Sequence, residues 1–212
     1  MHCAEGPTTL AGTQIVRLGG HFVEPLVGLH VAALAGDVLP ALGPAFLRRY
    51  YAAVLRTDSQ AVLGAVRAGD LLGFCQLAMA PMSISAVLAS APLSVLSILR
   101  LGLLHPKMLR RGLAMATRPE PVRAMPEIAF IAVGVRFQRG GIGRALASAA
   151  TAMAAERGVA EICTKTSNEA ARALYERQFG ARVVATRSAA GRTYWHLAWR
   201  TGAPEGAHHV AA

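Results

Sequence analysis

A chain of 212 residues with 53% hydrophobic and only 16% charged residues is large enough to bury one good core and is no disordered polymer. The formal net charge of +10 points to an anionic ligand, a nucleic acid or an acidic membrane surface, with a plain arginine-rich composition as the alternative. Dispersed arginines and 6% aromatics argue against a nucleic-acid-binding module, which needs stacking platforms. Cys3, Cys75 and Cys163 are odd in number and far apart, so no disulfide framework is expected and a cytoplasmic, reducing setting fits. His208 and His209 lack a spaced partner, so no metal site is expected either. No basic-then-apolar leader is visible at the N-terminus.

Residues 1–12 and 201–212 read as flexible ends around one domain over 13–200. Gln14 to Leu18 reads as a first strand. Helices are predicted over His21 to Ala35 and Pro44 to Leu55, separated by Gly36, Asp37, Pro40 and Gly43. Phe46, Leu47, Tyr50, Tyr51 and Val54 fall at helical spacing in the second, where one of the two tyrosines belongs to the core and either could line a pocket. Ala61 to Val66 and Leu71 to Ala78 read as a hairpin.

No charged residue occurs from Leu71 to Leu99, yet Gly73, Pro81, Pro92 and five serines break the run, so a membrane span is not the expected reading. The segment 81–121 is longer than a connection needs and is expected to be a helical insertion. Arg100, Lys107 and Arg111 could align on one side of it, which leaves peripheral contact with an anionic bilayer open, though not favoured, beside self-packing or a homodimer.

The densest signal runs from Glu127 to Gly143. An apolar strand, Ile128 to Val135, starts behind the single carboxylate of Glu127 and enters Gln138-Arg139-Gly140-Gly141-Ile142-Gly143, after which a helix is predicted over Gly141 to Arg157. Amides of such a turn converge at a helix N-terminus, where a phosphate or pyrophosphate is stabilised, with Arg139 and Arg144 beside it. The helix should bury Ile142, Leu146, Ala149 and Met153. Ala160 to Lys165 is the next strand. Thr166 with Glu169, or Ser167 alone, is expected to cap the helix Asn168 to Gln178. Arg182 to Ala185 and Thr193 to Trp199 close the chain as a hairpin.

Taken together, Gln-x-x-Gly-x-Gly followed at this distance by Asn168-x-x-Ala-x-x-Leu-Tyr175-x-x-x-Phe-Gly resembles the GNAT superfamily of acetyl-CoA-dependent N-acetyltransferases, most closely from Glu127 to Val184. The resemblance implies a single α/β domain with a central, mixed but mostly antiparallel sheet flanked by helices. It implies transfer of an acetyl group from acetyl-CoA to a primary amine by direct attack, without a metal. By the same resemblance Val133 and Val135 lie on the strand that binds the pantetheine arm. Gln138, Arg139, Gly140, Gly141, Ile142, Gly143 and Arg144 hold the pyrophosphate, and Asn168 contacts the pantetheine side. Tyr175 protonates the departing thiolate. Some members place a catalytic glutamate where this chain has Glu127, and a carboxylate in a partly dry cleft suits deprotonation of an ammonium. Another branch has a glutamate where this chain has Cys163, which argues against that branch's mechanism here. The acceptor, a small molecule or a peptide amine, is not legible. The alternative from another class is a CoA-binding regulator or scaffold with this fold and no turnover.

Overall fold

The structure is a computed structural model that describes residues 12–80, 103–104, 106–107, 119–189 and 191–202. Within these, the elements in chain order are β1 (Gln14–Arg17), α1 (Val23–Ala33), α2 (Val38–Ala41), α3 (Pro44–Val54), β2 (Gln60–Arg67), β3 (Asp70–Ala78), β4 (Glu127–Val133), α4 (Ile142–Glu156), β5 (Glu161–Thr166), α5 (Glu169–Phe179), β6 (Arg182–Ala189) and β7 (Arg192–Arg200). The strands form one sheet in the order β1-β2-β3-β4-β5-β7-β6. Every neighbouring pair is antiparallel except β4 and β5, which run parallel. This is the mixed, mostly antiparallel sheet expected from the sequence.

Helices cover both faces. On one face α4 and α5 bury Ile142, Leu146, Ala147, Ala150 and Tyr175 against Leu63, Cys75, Leu77, Ile128, Ile162, Leu197 and Trp199. Alanines on α4 let it lie close to the sheet, and Gly73 makes the approach feasible. A Cβ at Gly73 would stand 3.0 Å from the Ala132 carbonyl oxygen and 3.1 Å from Ile142. Thr151 pins the helix: its hydroxyl donates to the Ala147 carbonyl and accepts from Trp199 Nε1 at 3.2 Å. On the other face α1 and α3 bury Leu26, Phe46, Leu47, Tyr51 and Val54 against Val62, Phe74 and Ala132. Beyond them, Val122 and Met125 cover Cys163 and Ala198.

Several local expectations shift. The connection through Gly36 and Pro40 contains the short helix α2. The buried stripe of α4 runs through Ala147, Ala150 and Ala154, with Ala149 and Met153 only partly covered, because an alanine-rich helix carries little size contrast to mark its inner face. β6 continues to Ala189, four residues past its predicted end. Tyr50 and Tyr51 are both core residues, 5% and 0% exposed. The expected helical insertion 81–121 lies mostly outside the described residues. Leu103, Leu104, Pro106 and Lys107 within it are helical and exposed. Arg100 and Arg111, and most of both terminal segments, lie outside as well.

Candidate active site

The site is built where β4 and β5 part company. Their register contains two pairs, Glu127 with Cys163 and Ile128 with Thr164. After that, β4 stays with β3 up to Val133 and β5 stays with β7 up to Thr166, so a gap opens between neighbours that run in the same direction. Backbone groups of β4 that would otherwise reach β5 are then available to a ligand, since buried strand amides need partners. β4 also carries a bulge: Gln76 faces Phe130 while Leu77 faces Ile128, which leaves Ala129 as the extra residue. The bulge re-aims the strand just where the gap begins.

At the far end of β4 the chain turns through a 3-10 segment, Val135–Phe137, and reaches Gly141, the N-cap of α4. Val135 is therefore not on the strand, contrary to the expectation from the apolar run: it is 72% exposed on the turn. The run of apolar residues continues past the last ladder bond, so composition alone could not mark the strand end. Gly141 takes φ +81°, a left-handed conformation that glycine adopts without cost, and Arg139 takes φ +63°. Gly141 offers no side chain to cap the helix, so the first amides of α4 have no intramolecular cap and meet whatever anion or solvent lies there. Gly143 sits in that first turn with room to spare. A Cβ there would meet only Val133 Cγ2, at 3.8 Å, so the protein's own packing does not demand a glycine.

The remaining turn residues take their places around it. Arg139, Gly140 and Arg144 are exposed, whereas the Ile142 side chain is 6% exposed and faces the core, leaving only its backbone for a ligand. The Gln138 side chain folds back so that Nε2 donates to the Val133 carbonyl at 3.1 Å. This engages the carbonyl at the strand end, so Gln138 braces the turn from within. The Arg67 guanidinium stands over the Phe137 ring, 5.4 Å from its centroid, and holds the 3-10 segment to β2.

Asn168 caps α5. Its Oδ1 accepts from the amides of Ala170 and Ala171 at 2.9 and 3.2 Å. Thr166, one of the residues expected to cap, instead accepts from the Asn168 amide at 3.0 Å, so the capping role moves two residues along. The carboxamide oxygen is thus committed to the helix, which leaves the side-chain nitrogen Nδ2 to face a ligand.

Tyr175 reaches inward from α5. It is 1% exposed, stacks on Trp199 with centroids 5.2 Å apart, and packs near Phe179. Burial pushes its phenol pKa well up. Neighbouring Cys75 adds to that rise and Thr164 weakly opposes it, which places the hydroxyl beneath β4 between β3 and β5. That hydroxyl makes no hydrogen bond with any described residue. The Thr164 hydroxyl lies near enough to bear on the phenol, but it donates to the Ile128 carbonyl at 2.9 Å and makes no bond to Tyr175 within ordinary hydrogen-bond geometry. A buried phenol without a partner costs roughly 1–3 kcal/mol, a cost that is relieved only when something else supplies the bond.

Glu127 opens β4, half-buried, opposite Ala78 on β3 and Cys163 on β5. It lies on the α1–α3 side of the sheet, whereas Tyr175 lies on the α4–α5 side. The two candidate proton-transfer groups therefore bracket the start of the gap from opposite faces. Cys163 itself is 1% exposed beneath Val122 and Met125. Among the described residues no group of three or more His, Cys, Asp or Glu side chains is arranged to hold a metal ion. No described helix is long and apolar enough to cross a membrane.

Two features of the site were missed from the sequence: the bulge at Ala129 and a buried pair on β2 and β3 in which Gln76 Nε2 donates to Gln60 Oε1 at 3.1 Å. The first leaves no compositional trace, since neither glycine nor proline marks it. The second had a signal, an uncharged polar residue in the middle of the apolar run from Leu71 to Ala78.

Comparison with known proteins accords with this geometry. A family model described as the acetyltransferase (GNAT) family matches residues 33–181. No curated protein sequence matches. Among solved structures, the ribosomal-protein-S18-alanine N-acetyltransferase from Escherichia coli is similar with TM-score 0.58 at 18% identity, over 92% of this chain and 99% of that one. A structure described as histone acetyltransferase HPA2 and related acetyltransferase, from Corynebacterium glutamicum, gives 0.62 at 16% identity over 92% and 99%. A ribosomal-protein-alanine N-acetyltransferase from Brucella melitensis gives 0.59 at 16% identity over 88% and 99%. At these identities the likeness speaks to the fold.

Proposed function

We infer the activity of this chain from the family to which it belongs, the GNAT acetyltransferases: it moves an acetyl group from acetyl-CoA to a primary amine by direct attack. The observation that carries the reading is the buried Tyr175 hydroxyl, without a partner among the described residues, at the point where β4 and β5 diverge. A polar atom kept there without a partner among the described residues suits a ligand that enters the gap and supplies one.

Acetyl-CoA fits the residues present. Its pyrophosphate would rest on the uncapped amides of the 139–144 turn, aided by the α4 N-terminus and by Arg139 and Arg144. Its pantetheine arm would pair with the open edge of β4 around Val133, with Asn168 across the gap. Val135, off the strand, has no place in that pairing.

Each step falls to a group of this chain. Glu127 accepts the proton of the attacking amine, directly or through one water. Backbone amides at the bulged start of β4 polarise the thioester carbonyl. As the carbon–sulfur bond breaks and the carbon–nitrogen bond forms, Tyr175 passes its proton to the leaving sulfur. Burial keeps the phenol protonated at neutral pH, which a general acid requires. The buried thiols of Cys75 and Cys163, neither of them in a disulfide, support a cytoplasmic setting for this chemistry.

The test is release of free thiol from acetyl-CoA across a broad panel of primary amines, with mass detection of the acetylated product. Amine-dependent release is expected. Tight binding of CoA without release from any amine would replace this reading with a CoA-binding regulator.

A further inference from the structure

The α1–α3 side of β4 holds a second buried tyrosine, and its surroundings are directional. The Ala80 carbonyl can only accept, and Gln60 Nε2 donates to it at 2.9 Å. That fixes the Gln60 amide, so its Oε1 faces inward and accepts from Gln76 Nε2 at 3.1 Å. Gln76 Nε2 carries a second hydrogen, and the Tyr50 oxygen lies 3.0 Å from it. Gln60, Gln76 and Tyr50 are 2%, 1% and 5% exposed, so the chain is shielded from water. When Gln76 donates to the Tyr50 oxygen, the phenolic hydrogen is free to turn elsewhere. One acceptor within its reach is Gln76 Oε1, at 3.1 Å.

Strand register shows what else lies on that face. Gln76 and Ala78 alternate onto the same face of β3, and Glu127 stands directly opposite Ala78. The extra residue at Ala129 brings Glu127 and Phe130, three apart in sequence, onto one face of β4. Tyr50 packs edge-on against Phe130, with ring centroids 6.3 Å apart. We propose that Tyr50 is a positioning residue whose hydroxyl, backed by the Gln60–Gln76 amide chain, donates to the Glu127 carboxylate and fixes it for the acceptor amine. The inference rests on the reading of Glu127 as the base. In support, the Tyr50 phenol pKa is driven up first by burial, pulled back by Gln76, and raised again by the Glu127 charge.

Other titratable groups on this side of the sheet include His30 on α1, Tyr51 on α3, Cys163 and Lys165 on β5, Tyr194 and His196 on β7 and Arg187 on β6, with Arg123 exposed on the adjoining segment. His30 is held down to about 4 by burial, within the carboxylate range, so it has to be separated from Glu127 by substitution.

Tyrosine labelled with carbon-13 at Cζ gives the direct readout in the wild-type chain, with no acceptor or acetyl-CoA required. The Tyr50 resonance, assigned by Tyr50→Phe or, should that variant fold poorly, by Tyr51→Phe, Tyr175→Phe and Tyr194→Phe in turn, is followed on acidification. We expect an inflection that disappears in Glu127→Gln and survives in His30→Gln. No inflection in the wild type, or one that survives in Glu127→Gln, overturns the proposal. Kinetics supply a second arm: Tyr50→Phe should lose about tenfold in thiol release and lose nothing further in a Glu127→Gln background. Equal losses in both backgrounds overturn the inference even while the reaction stands. Absence of thiol release in every variant counts against the proposed reaction alone, and the resonance still decides the pairing.

Discussion

The two faces of β4 both hold buried tyrosines, Tyr50 and Tyr51 on one and Tyr175 on the other, and they treat the hydroxyls in opposite ways. On the α1–α3 side, Tyr51 bonds to His30 Nδ1 and Tyr50 bonds to Gln76, so both phenols are satisfied by the protein. On the α4–α5 side, Tyr175 is packed as tightly and left with no partner among the described residues. Burial is the same; satisfaction of the phenol hydroxyl is not. An interior built only for stability would pair or delete such a hydroxyl, because an unmet polar group costs more than a made bond returns. The contrast separates tyrosines partnered within the protein from one kept ready for a ligand.

Substitutions can break that contrast. The largest effect is expected outside either tyrosine, at Gly143→Asp. The new carboxylate would fill the space before the α4 amides and repel an anion, and the 3.8 Å gap to Val133 leaves folding intact. Calorimetry should show acetyl-CoA affinity falling by about a hundredfold or more, roughly 3 kcal/mol. Gly141→Asp is a poorer probe, because its φ of +81° strains any other residue whether or not a ligand binds. Unchanged affinity in a folded Gly143→Asp protein would remove the turn from the site.

Next comes the tyrosine pair itself. Tyr175→Phe should slow turnover by about a hundredfold, as loss of a general acid does, while thermal stability holds or rises because an unmet hydroxyl is gone. Tyr51→Phe should do the reverse: turnover is kept and stability falls by about 1 kcal/mol with the lost bond to His30. If the two variants behave alike, the contrast between the faces carries no functional meaning.

His30 sharpens the comparison through pH. It is fully buried among Tyr51, Phe74 and Phe130, and burial lowers its pKa to about 4 from an ordinary value near 6.5. Between those values the unfolded chain binds a proton that the folded chain refuses, so stability is complete above about pH 6.5 and drains away as pH falls toward 4. The loss is on the order of 3 kcal/mol. Urea unfolding from pH 7 to 4 should show it, and His30→Gln should flatten that slope while keeping a partner for Tyr51.

The smallest effect belongs to Asn168, whose oxygen caps α5. Asn168→Ala should cost about 1 kcal/mol, and Asn168→Asp, an equal cap, almost nothing. Acetyl-CoA affinity then distinguishes the two roles. If Asp binds as well as Asn, the residue is a cap; weaker binding by Asp reports a contact made by the amide nitrogen.

Much of this arrangement was legible in the sequence because the chemistry-bearing turn is short and local. Gln138 to Gly143 announces itself by glycine spacing between an apolar strand and a helix, and the Asn168–Tyr175 spacing follows on one helix. What escaped was set by tertiary pairing. The end of β4 at Val133 depends on where the partner ladder stops, which the apolar run through Val135 conceals. The α5 cap fell to Asn168 because the strand carries on to Thr166, one residue beyond its predicted end, which places Asn168 at the boundary. The bulge at Ala129 is a cross-strand fact, invisible until register is known, and Gln76 stands out in its apolar run while its partners Gln60 and Tyr50 do not.

The claim on which the rest depends is that the gap between β4 and β5 receives acetyl-CoA, and hydrogen exchange read by mass spectrometry tests it most directly. Adding acetyl-CoA should slow exchange in peptides covering 129–133 and 139–144 and leave the β6–β7 hairpin unchanged. Saturating acetyl-CoA with no slowing in those two stretches, or slowing confined to other parts of the chain, would contradict the account.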